Sequence, residues 1–278
     1  MDLLQAVVLG VVEGLTEFLP VSSTGHLTIA EQLLGLPVGD PGVTAFTAVI
    51  QVGAIVAVIL YFRADIAALI AAWVRGLVEA RARRRPEYRL AWYVIAGSIP
   101  IGIVGLTAKD LVSGPLRSLW VVAIALIAWS AVMYAAERLA TQTRGEGDLR
   151  LRDALVIGLV QCVALIPGVS RSGATISAGL VRGFDRTTAT RVSFLLSIPA
   201  LVAAGGEEAI SEGGAIGATV GWTATAVATV VSFVVGYASI AWLLRLVARH
   251  RITVFIGYRV ALGLALIVAL TAGVLAAQ

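Results

Sequence analysis

Two acidic residues, Glu13 and Glu17, lie in an otherwise apolar segment near the start of the chain. A spacing of four residues puts both side chains on one helix face, with their stems about 5–6 Å apart. Two carboxylates in an apolar medium repel each other and are costly to leave without a cation. Their oxygen ligands suit Mg2+ or Ca2+, so we predict a metal site. The alternative is a protonated pair, or one hydrogen-bonded to neighbouring hydroxyls.

A break in the helical pattern follows these acids. Pro20 ends one helix, and Ser22, Ser23 and Thr24 are residue types that begin another. A helix N-terminus favours an anion such as phosphate, because its N–H groups are free and its dipole is positive there. His26 follows within one turn and is a candidate proton carrier or base. The alternative is a histidine that is only hydrogen-bonded to a neighbouring segment.

A second break follows Pro167 and carries different side chains. Ser170 and Ser172 flank Arg171, and Thr175 lies one turn further on. A guanidinium group offers a planar fork of donors that matches phosphate oxygens. We therefore predict that Arg171 binds a phosphate. The alternative is a salt bridge to one of the two acids, which could hold the empty site together.

The two breaks together favour metal-assisted attack on a phosphate or pyrophosphate. The acids would hold the metal, while Arg171 and the helix N-termini would stabilise charge that develops on phosphoryl oxygens. The attacking group is either Ser23, with Ser22 as the next candidate, or a water activated by a glutamate or by His26. The sequence leaves both routes open.

The composition decides what kind of molecule must position these groups. Of the 278 residues, 59% are hydrophobic and only 14% are charged, whereas soluble proteins have about 45–50% apolar and about 25% charged residues. The mean hydropathy of +0.93 agrees. The single cysteine, Cys162, cannot form an internal disulfide and has no zinc-site spacing. These values exclude soluble, disordered, nucleic-acid-binding and disulfide-scaffold classes and indicate an integral membrane protein.

The pattern of apolar runs predicts an all-α polytopic membrane protein, folded as one membrane domain over residues 1–278. A bilayer core about 30 Å thick needs roughly 20 apolar residues per crossing. Two other segments are interrupted by Pro, Gly and Ser, and we predict that each is a re-entrant helix hairpin that enters and leaves on one side. The hairpins are residues 3–36 and 151–180, and the six transmembrane helices are about 44–62, 90–107, 119–136, 191–205, 217–246 and 253–277.

The arginines predict the sidedness, because basic residues near span ends stay in the cytoplasm. If both hairpins are re-entrant, 17 of the 21 basic residues lie inside. Outside lie only Lys109 and Arg117. The inside set is Arg63, Arg75, Arg81, Arg83, Arg84, Arg85, Arg89, Arg138, Arg144, Arg150, Arg152, Arg182, Arg186, Arg191, Arg245, Arg249 and Arg251.

The chain also repeats itself after 148 residues, which superposes Gly10 on Gly158, Glu13 on Gln161, Ser22 on Ser170, Gly25 on Gly173 and Phe46 on Phe194. Each hairpin is followed by three spans, an odd number, so the halves must have opposite orientations. We predict an inverted-topology repeat, with repeat 1 at about 1–140 and repeat 2 at about 149–278. The two hairpin tips should then meet near the bilayer midplane.

Two stretches resemble the signatures of the undecaprenyl-pyrophosphate phosphatase family associated with bacitracin resistance. They read Glu-Gly-Leu-Thr-Glu-Phe-Leu-Pro-Val-Ser-Ser-Thr-Gly-His at 13–26 and Pro-Gly-Val-Ser-Arg-Ser-Gly-Ala-Thr at 167–175. The spacing between them and the segment at 46–54 also fit, so the resemblance covers essentially the whole chain.

The resemblance implies removal of the terminal phosphate from undecaprenyl pyrophosphate, which recycles the carrier lipid of cell-wall synthesis. It also implies a multi-pass protein of the bacterial inner membrane that uses Mg2+ or Ca2+ and acts mainly at the periplasmic face. Carried onto this chain, the functional positions are Glu13, Glu17, Ser23, His26, Ser170, Arg171, Ser172 and Thr175.

The rival hypothesis is a flippase or transporter of a lipid phosphate, since inverted repeats and broken helices also build transporters. It explains the paired glutamates and His26 less well. A purely structural scaffold gives no reason for ionisable residues at both breaks. The expected partners are the lipid substrate and the membrane, with no nucleic acid, and a homodimer is a candidate assembly.

Overall fold

The computed structural model describes residues 1–37, 40–108, 111, 116 and 118–277, with the backbone alone over 208–219. Within these ranges the chain is helical, and its one extended pairing is an isolated bridge between Arg144 and Phe184. Lys109 and Arg117, which the sequence assigns to the outer face, lie outside the described residues.

The α-helices account for most of the described residues. They are α1 (Leu3–Thr16), α2 (Ser23–Leu33), α3 (Pro41–Tyr61), α4 (Arg63–Val78), α5 (Pro86–Thr107), α6 (Leu119–Leu139), α7 (Leu151–Gln161), α8 (Arg171–Val181), α9 (Arg186–Thr219), α10 (Trp222–Val247) and α11 (Ile256–Thr271). Short 3-10 turns occupy Ala82–Arg84, Glu146–Asp148, Cys162–Leu165 and Ile252–Phe255.

Six of the described helical segments are long and apolar enough to cross a membrane, which confirms the predicted all-α polytopic architecture. Large apolar side chains such as Leu106, Val230 and Val268 point outward, as expected of a surface that faces lipid rather than water. The six segments are Pro41–Tyr61, Pro86–Thr107, Leu119–Leu139, Arg186–Glu207, Trp222–Val247 and Ile252–Thr271.

The two interrupted segments each form a helix, a break and a second helix. Helices α2 and α8 are both 11 residues long. Both their first and their last residues are 148 positions apart in the chain. The serine before each has a left-handed backbone, with φ of 77° at Ser22 and 74° at Ser170. The re-entrant course and the opposite orientation of the halves stay predictions, since no membrane marks the two sides.

The breaks are held among the spans by close helix packing. Helix α1 packs along α10, and α7 packs along α5. Small residues permit both approaches: a Cβ at Gly10 would lie 2.5 Å from the Ala228 carbonyl oxygen, and one at Gly158 would collide with the backbone of Gly97. Each half therefore anchors the first helix of its broken segment through a glycine at an equivalent position.

Candidate active site

Glu17 lies where α1 ends, and its carboxylate joins the two breaks. One oxygen, Oε2, accepts a hydrogen bond from the Ser23 hydroxyl at 2.5 Å. The other, Oε1, accepts from Nη2 of Arg171 at 2.6 Å. Only 8% of Glu17 is exposed, so both bonds form in a largely water-free environment where such charged contacts are strong.

The breaks also bond to each other directly, so the predicted meeting of the two tips is found. The Gly168 backbone N–H donates to the Ser22 hydroxyl oxygen at 2.9 Å. In the reverse direction, the Ser170 hydroxyl donates to the Leu19 carbonyl oxygen at 3.3 Å. Both serines are buried. These contacts satisfy backbone groups that leave the helical ladder at the breaks, as a membrane interior requires.

The two helix N-termini differ in how they are capped. The Ser170 side chain accepts from the Gly173 N–H and so caps α8. Ser22 makes no such bond to α2, and its oxygen serves Gly168 instead. The first N–H groups of α2 therefore lack a serine cap, and this is the terminus that carries Ser23. Such a terminus is suited to a phosphate oxygen.

His26 is held between the first break and the last span. Its Nδ1 lies 2.7 Å from the Ser22 carbonyl oxygen, and its Nε2 lies 2.5 Å from the Tyr258 hydroxyl. Because a carbonyl oxygen only accepts, Nδ1 must carry the proton, and in the neutral ring Nε2 then accepts from Tyr258. No bond joins His26 to Glu17 or Arg171 among the described contacts, so it lies beside their cluster rather than within it.

The remaining predicted site residues surround this centre. Thr175 donates to the Arg171 carbonyl at 2.8 Å and shares a hydrogen bond with Ser193 at 2.5 Å. Ser172 shares one with Ser170 at 3.2 Å. Thr24 is exposed in the first turn of α2. In the described structure, Thr175 and Ser172 thus support the second break, while Thr24 is open to an incoming group.

The predicted metal ligands are one helical turn apart, as the Glu17 N–H bonds the Glu13 carbonyl at 3.0 Å. Both acids are buried. The described residues contain no group of three or more His, Cys, Asp and Glu side chains placed to hold a metal. The donors that the prediction offers are oxygen only, namely the carboxylates of Glu13 and Glu17 and the Ser23 hydroxyl that bonds Glu17. This set fits Mg2+ or Ca2+, because such ions complete their shells with water and substrate phosphate oxygens.

Arg259 is a residue of this region that the sequence reasoning missed. It is fully buried in α11 and bonds the Pro20 and Gly168 carbonyl oxygens, one in each break. A signal was present, since an arginine within an apolar span marks function by default. Once the loop arginines, Lys109 and Arg117 are assigned to the two faces, Arg171 and Arg259 are the two basic residues that remain.

Fold and site together define a class: a multi-pass helical membrane protein in which two helix breaks meet around a buried carboxylate, hydroxyl and guanidinium. Residues 6–265 match the family described as Bacitracin resistance protein BacA. The chain belongs to this family, as the resemblance of its two motifs indicated.

Relatives of known name match the chain over nearly its full length. Undecaprenyl-diphosphatase 3 of Frankia casuarinae is 58% identical over 277 residues, covering 100% of both chains. Undecaprenyl-diphosphatase of Acidothermus cellulolyticus is 56% identical, covering 98% of each. The protein of that name from Cutibacterium acnes is 54% identical, covering 96% of each.

Proposed function

We propose that this protein is a membrane phosphatase that converts undecaprenyl pyrophosphate to undecaprenyl phosphate and inorganic phosphate. The observation that carries the proposal is the chain of contacts from Ser23 through Glu17 to Arg171, which pairs a hydroxyl with a base and a phosphate-binding cation. The names of the full-length relatives supply the substrate.

The Ser23 hydroxyl is the nucleophile that this geometry favours. Its proton already points at Glu17 Oε2, which is the arrangement of a nucleophile with its general base. In the first step Glu17 takes that proton while Oγ bonds the terminal phosphorus. The bond from this phosphorus to the bridging oxygen breaks, and the lipid monophosphate leaves with the electron pair.

The second step regenerates the serine. Water attacks the phosphorus of phosphorylated Ser23, and the bond between Oγ and phosphorus breaks. Glu17 returns its proton to Oγ, and the proton lost by water stays on the released inorganic phosphate. One carboxyl group thus acts first as base and then as acid, and the cycle consumes one water.

Arg171 and the N-terminus of α2 stabilise the charge that develops on the phosphoryl oxygens. In the described structure Arg171 makes a single side-chain hydrogen bond, through Nη2 to Glu17. The rest of its donor fork is therefore available to phosphate. The same bond keeps the Glu17 carboxylate oriented until substrate binds.

The proposed cofactor is Mg2+ or Ca2+, held by Glu13 and Glu17. When bound, the ion would neutralise phosphate charge and polarise the phosphoryl group. The oxygen-only donor set and the burial of both acids support this assignment. A chelator should lower phosphate release, and adding back either ion should restore it.

The proposed location is the bacterial inner membrane, with the site opening toward the periplasmic face. The arginine distribution supports this orientation, since it places the connection on either side of the first hairpin outside. A site between helix breaks is reachable from the side by a head group whose acyl tail stays in the bilayer.

Purified protein in detergent, given undecaprenyl pyrophosphate and Mg2+, tests the proposal. Wild type should release inorganic phosphate, and Ser23→Ala should lower kcat by roughly 10³-fold or more while the protein stays folded. Ser239→Ala is the matched control, because that hydroxyl donates within its own helix to Val235. Normal turnover by Ser23→Ala would favour an activated water. Movement of lipid across vesicles by wild type without phosphate release would favour a flippase.

A further inference from the structure

Arg259 is a fully buried cation whose partners are all neutral in the described structure. Its Nη1 donates to the Pro20 carbonyl oxygen at 2.8 Å, and its Nη2 donates to the Gly168 carbonyl oxygen at 2.9 Å. Its Nε donates to the Ser130 hydroxyl at 3.1 Å. No described carboxylate lies within salt-bridge distance, so these three bonds must offset the cost of burying the charge.

The two carbonyl partners occupy equivalent positions in the two halves. Gly168 follows Pro20 by 148 residues, the same offset that relates Ser22 to Ser170. Helix α11, which carries Arg259, is the third span of the second half, and the third span of the first half, α6, has no basic residue before Arg138 near its C-terminal end. A single arginine from the last span therefore bonds both breaks at matching backbone atoms, and the repeat does not duplicate it.

The chemistry of the guanidinium explains why one residue can do this. At a helix break, carbonyl groups lose their helical partners and need new donors where water is excluded. A planar fork can donate to two separated acceptors at once, with its geometry fixed by delocalisation. A lysine ammonium is a compact donor on a flexible stem and cannot hold two carbonyl groups at a set separation.

We propose that Arg259 is a positioning residue that fixes the first break relative to the second. It would thereby set the distance from Ser23 and Glu17, on one break, to Arg171 on the other. The inference rests on the proposed function for its effect on turnover, but not for its effect on geometry. In this proposal Arg259 does not contact substrate.

The residue before it supports a role for this turn of α11. Tyr258 bonds His26 Nε2 at 2.5 Å, and the two rings stack with centroids 5.6 Å apart. Consecutive residues of the last span thus reach the active-site region, one at the breaks and one at the histidine. Helix α11 also packs along α6, whose Ser130 receives the third Arg259 bond.

Kinetics of Arg259→Lys give the first test. We expect kcat to fall about 10²-fold, because misplacement by about 1 Å can cost that much, while KM changes little. The matched control is Ser130→Ala, which removes the third bond and leaves both breaks joined, and it should lose no more than a few-fold. Near-normal turnover by Arg259→Lys would overturn the proposal, as would an equal loss in Ser130→Ala.

A double-mutant cycle separates positioning from general damage. If Arg259 acts by placing Arg171, then Arg171→Lys should cost much less in the Arg259→Lys background than in wild type. Independent, additive losses would contradict the proposal. Should Arg259→Lys fail to purify as a folded protein, Arg259→Gln takes its place in the same cycle.

Distance measurement provides a readout that does not depend on turnover. Leu33 and Val181 are exposed residues at the ends of α2 and α8, also 148 positions apart. Spin labels on Leu33→Cys and Val181→Cys, in a Cys162→Ser background, should give one narrow distance that broadens or shifts in Arg259→Lys. An unchanged distribution would overturn the positioning role. Failure of wild type to release phosphate would instead overturn the proposed function and leave this measurement valid.

Discussion

At the level of single residues, Glu17 connects the chemistry of the two breaks because each of its oxygens has a different partner. The bond from Ser23 aligns a lone pair with the hydroxyl proton, and the bond from Arg171 fixes the orientation of the carboxylate. A leucine stands at the equivalent position of the second half, residue 165. The two halves therefore have similar backbones at their breaks, but only the first half carries the carboxylate.

Arg171→Lys tests the donor fork. Lysine can keep the ion pair with Glu17, but it cannot donate in parallel to two phosphate oxygens. We expect kcat to fall about 10²- to 10³-fold, the usual cost of losing a donor to transition-state charge. Phosphate release under saturating substrate measures this.

A suitable control for this variant is Arg138→Lys, since Arg138 is exposed at the end of α6 and its charge lies over the Tyr134 ring. It should turn over at the wild-type rate. Activity of Arg171→Lys close to that of the control would argue against phosphate binding by the fork and leave Arg171 as a partner of Glu17 alone.

At the level of helices, the breaks depend on backbone conformations that residues other than glycine rarely adopt. Ser22 and Ser170 have positive φ angles, which cost of order 1–3 kcal/mol each and persist only where surrounding contacts enforce them. The hydrogen bonds from Gly168 to Ser22 and from Ser170 to Leu19 supply that enforcement. Each break is thus stabilised by the other.

Gly168→Ala should disrupt this pairing. Gly168 has φ of 97°, and a Cβ there would lie 2.5 Å from the Val122 carbonyl oxygen. Strain and overlap together should cost at least about 2 kcal/mol, seen as a lower thermal midpoint in detergent. The control is Gly102→Ala, where a Cβ meets open space, and where alanine should stabilise the helix by up to about 1 kcal/mol. Equal midpoints for the two variants would contradict this account.

The sequence predicted the helices and the breaks well because both are local properties. Apolar length sets the spans, and Pro20 with the following serines sets the first break. A salt bridge from Arg171 to one of the acids was among the alternatives, and it is present. The bond from Gly168 to Ser22 and the two Arg259 contacts could not be derived, because they join residues 91 to 239 positions apart whose meeting depends on the packing of several spans.

At the scale of the whole molecule, ion pairs tie the halves together at the end that the arginines assign to the cytoplasm. The connection between the halves pairs backbone to backbone with the turn after α8, through Arg144, Gly183 and Asp185. The pairs themselves are Arg144 and Arg182 with Asp153, Arg186 with Glu137, and Arg191 with Asp65 and Glu146. Arg186 and Arg191, two of the arginines from which the sidedness is predicted, therefore also join the two repeats.

Asp153 is the buried centre of this network. Its side chain has no exposed surface, and Arg144 and Arg182 donate to it at 2.5 and 2.7 Å. Burial alone would raise the pKa of Asp153, but the hydrogen bonds from Arg144 and Arg182 outweigh it and hold the pKa below the ordinary value of 3.8. The folded state therefore binds this proton less readily than the unfolded state does.

A pKa lowered by folding contributes stability that is fully present above the unfolded value and is lost as the pH falls through the folded value. Asp153→Asn should therefore lower the thermal midpoint at pH 7, by an amount that corresponds to about 3 kcal/mol or more for a broken buried pair. The gap between wild type and variant should stay constant from pH 7 to about pH 5 and narrow below pH 4. Exposed Glu87→Gln should show no such gap. A gap that is independent of pH down to pH 2 would mean that the Asp153 charge does not hold α7 to the connection between the halves and to the end of α8.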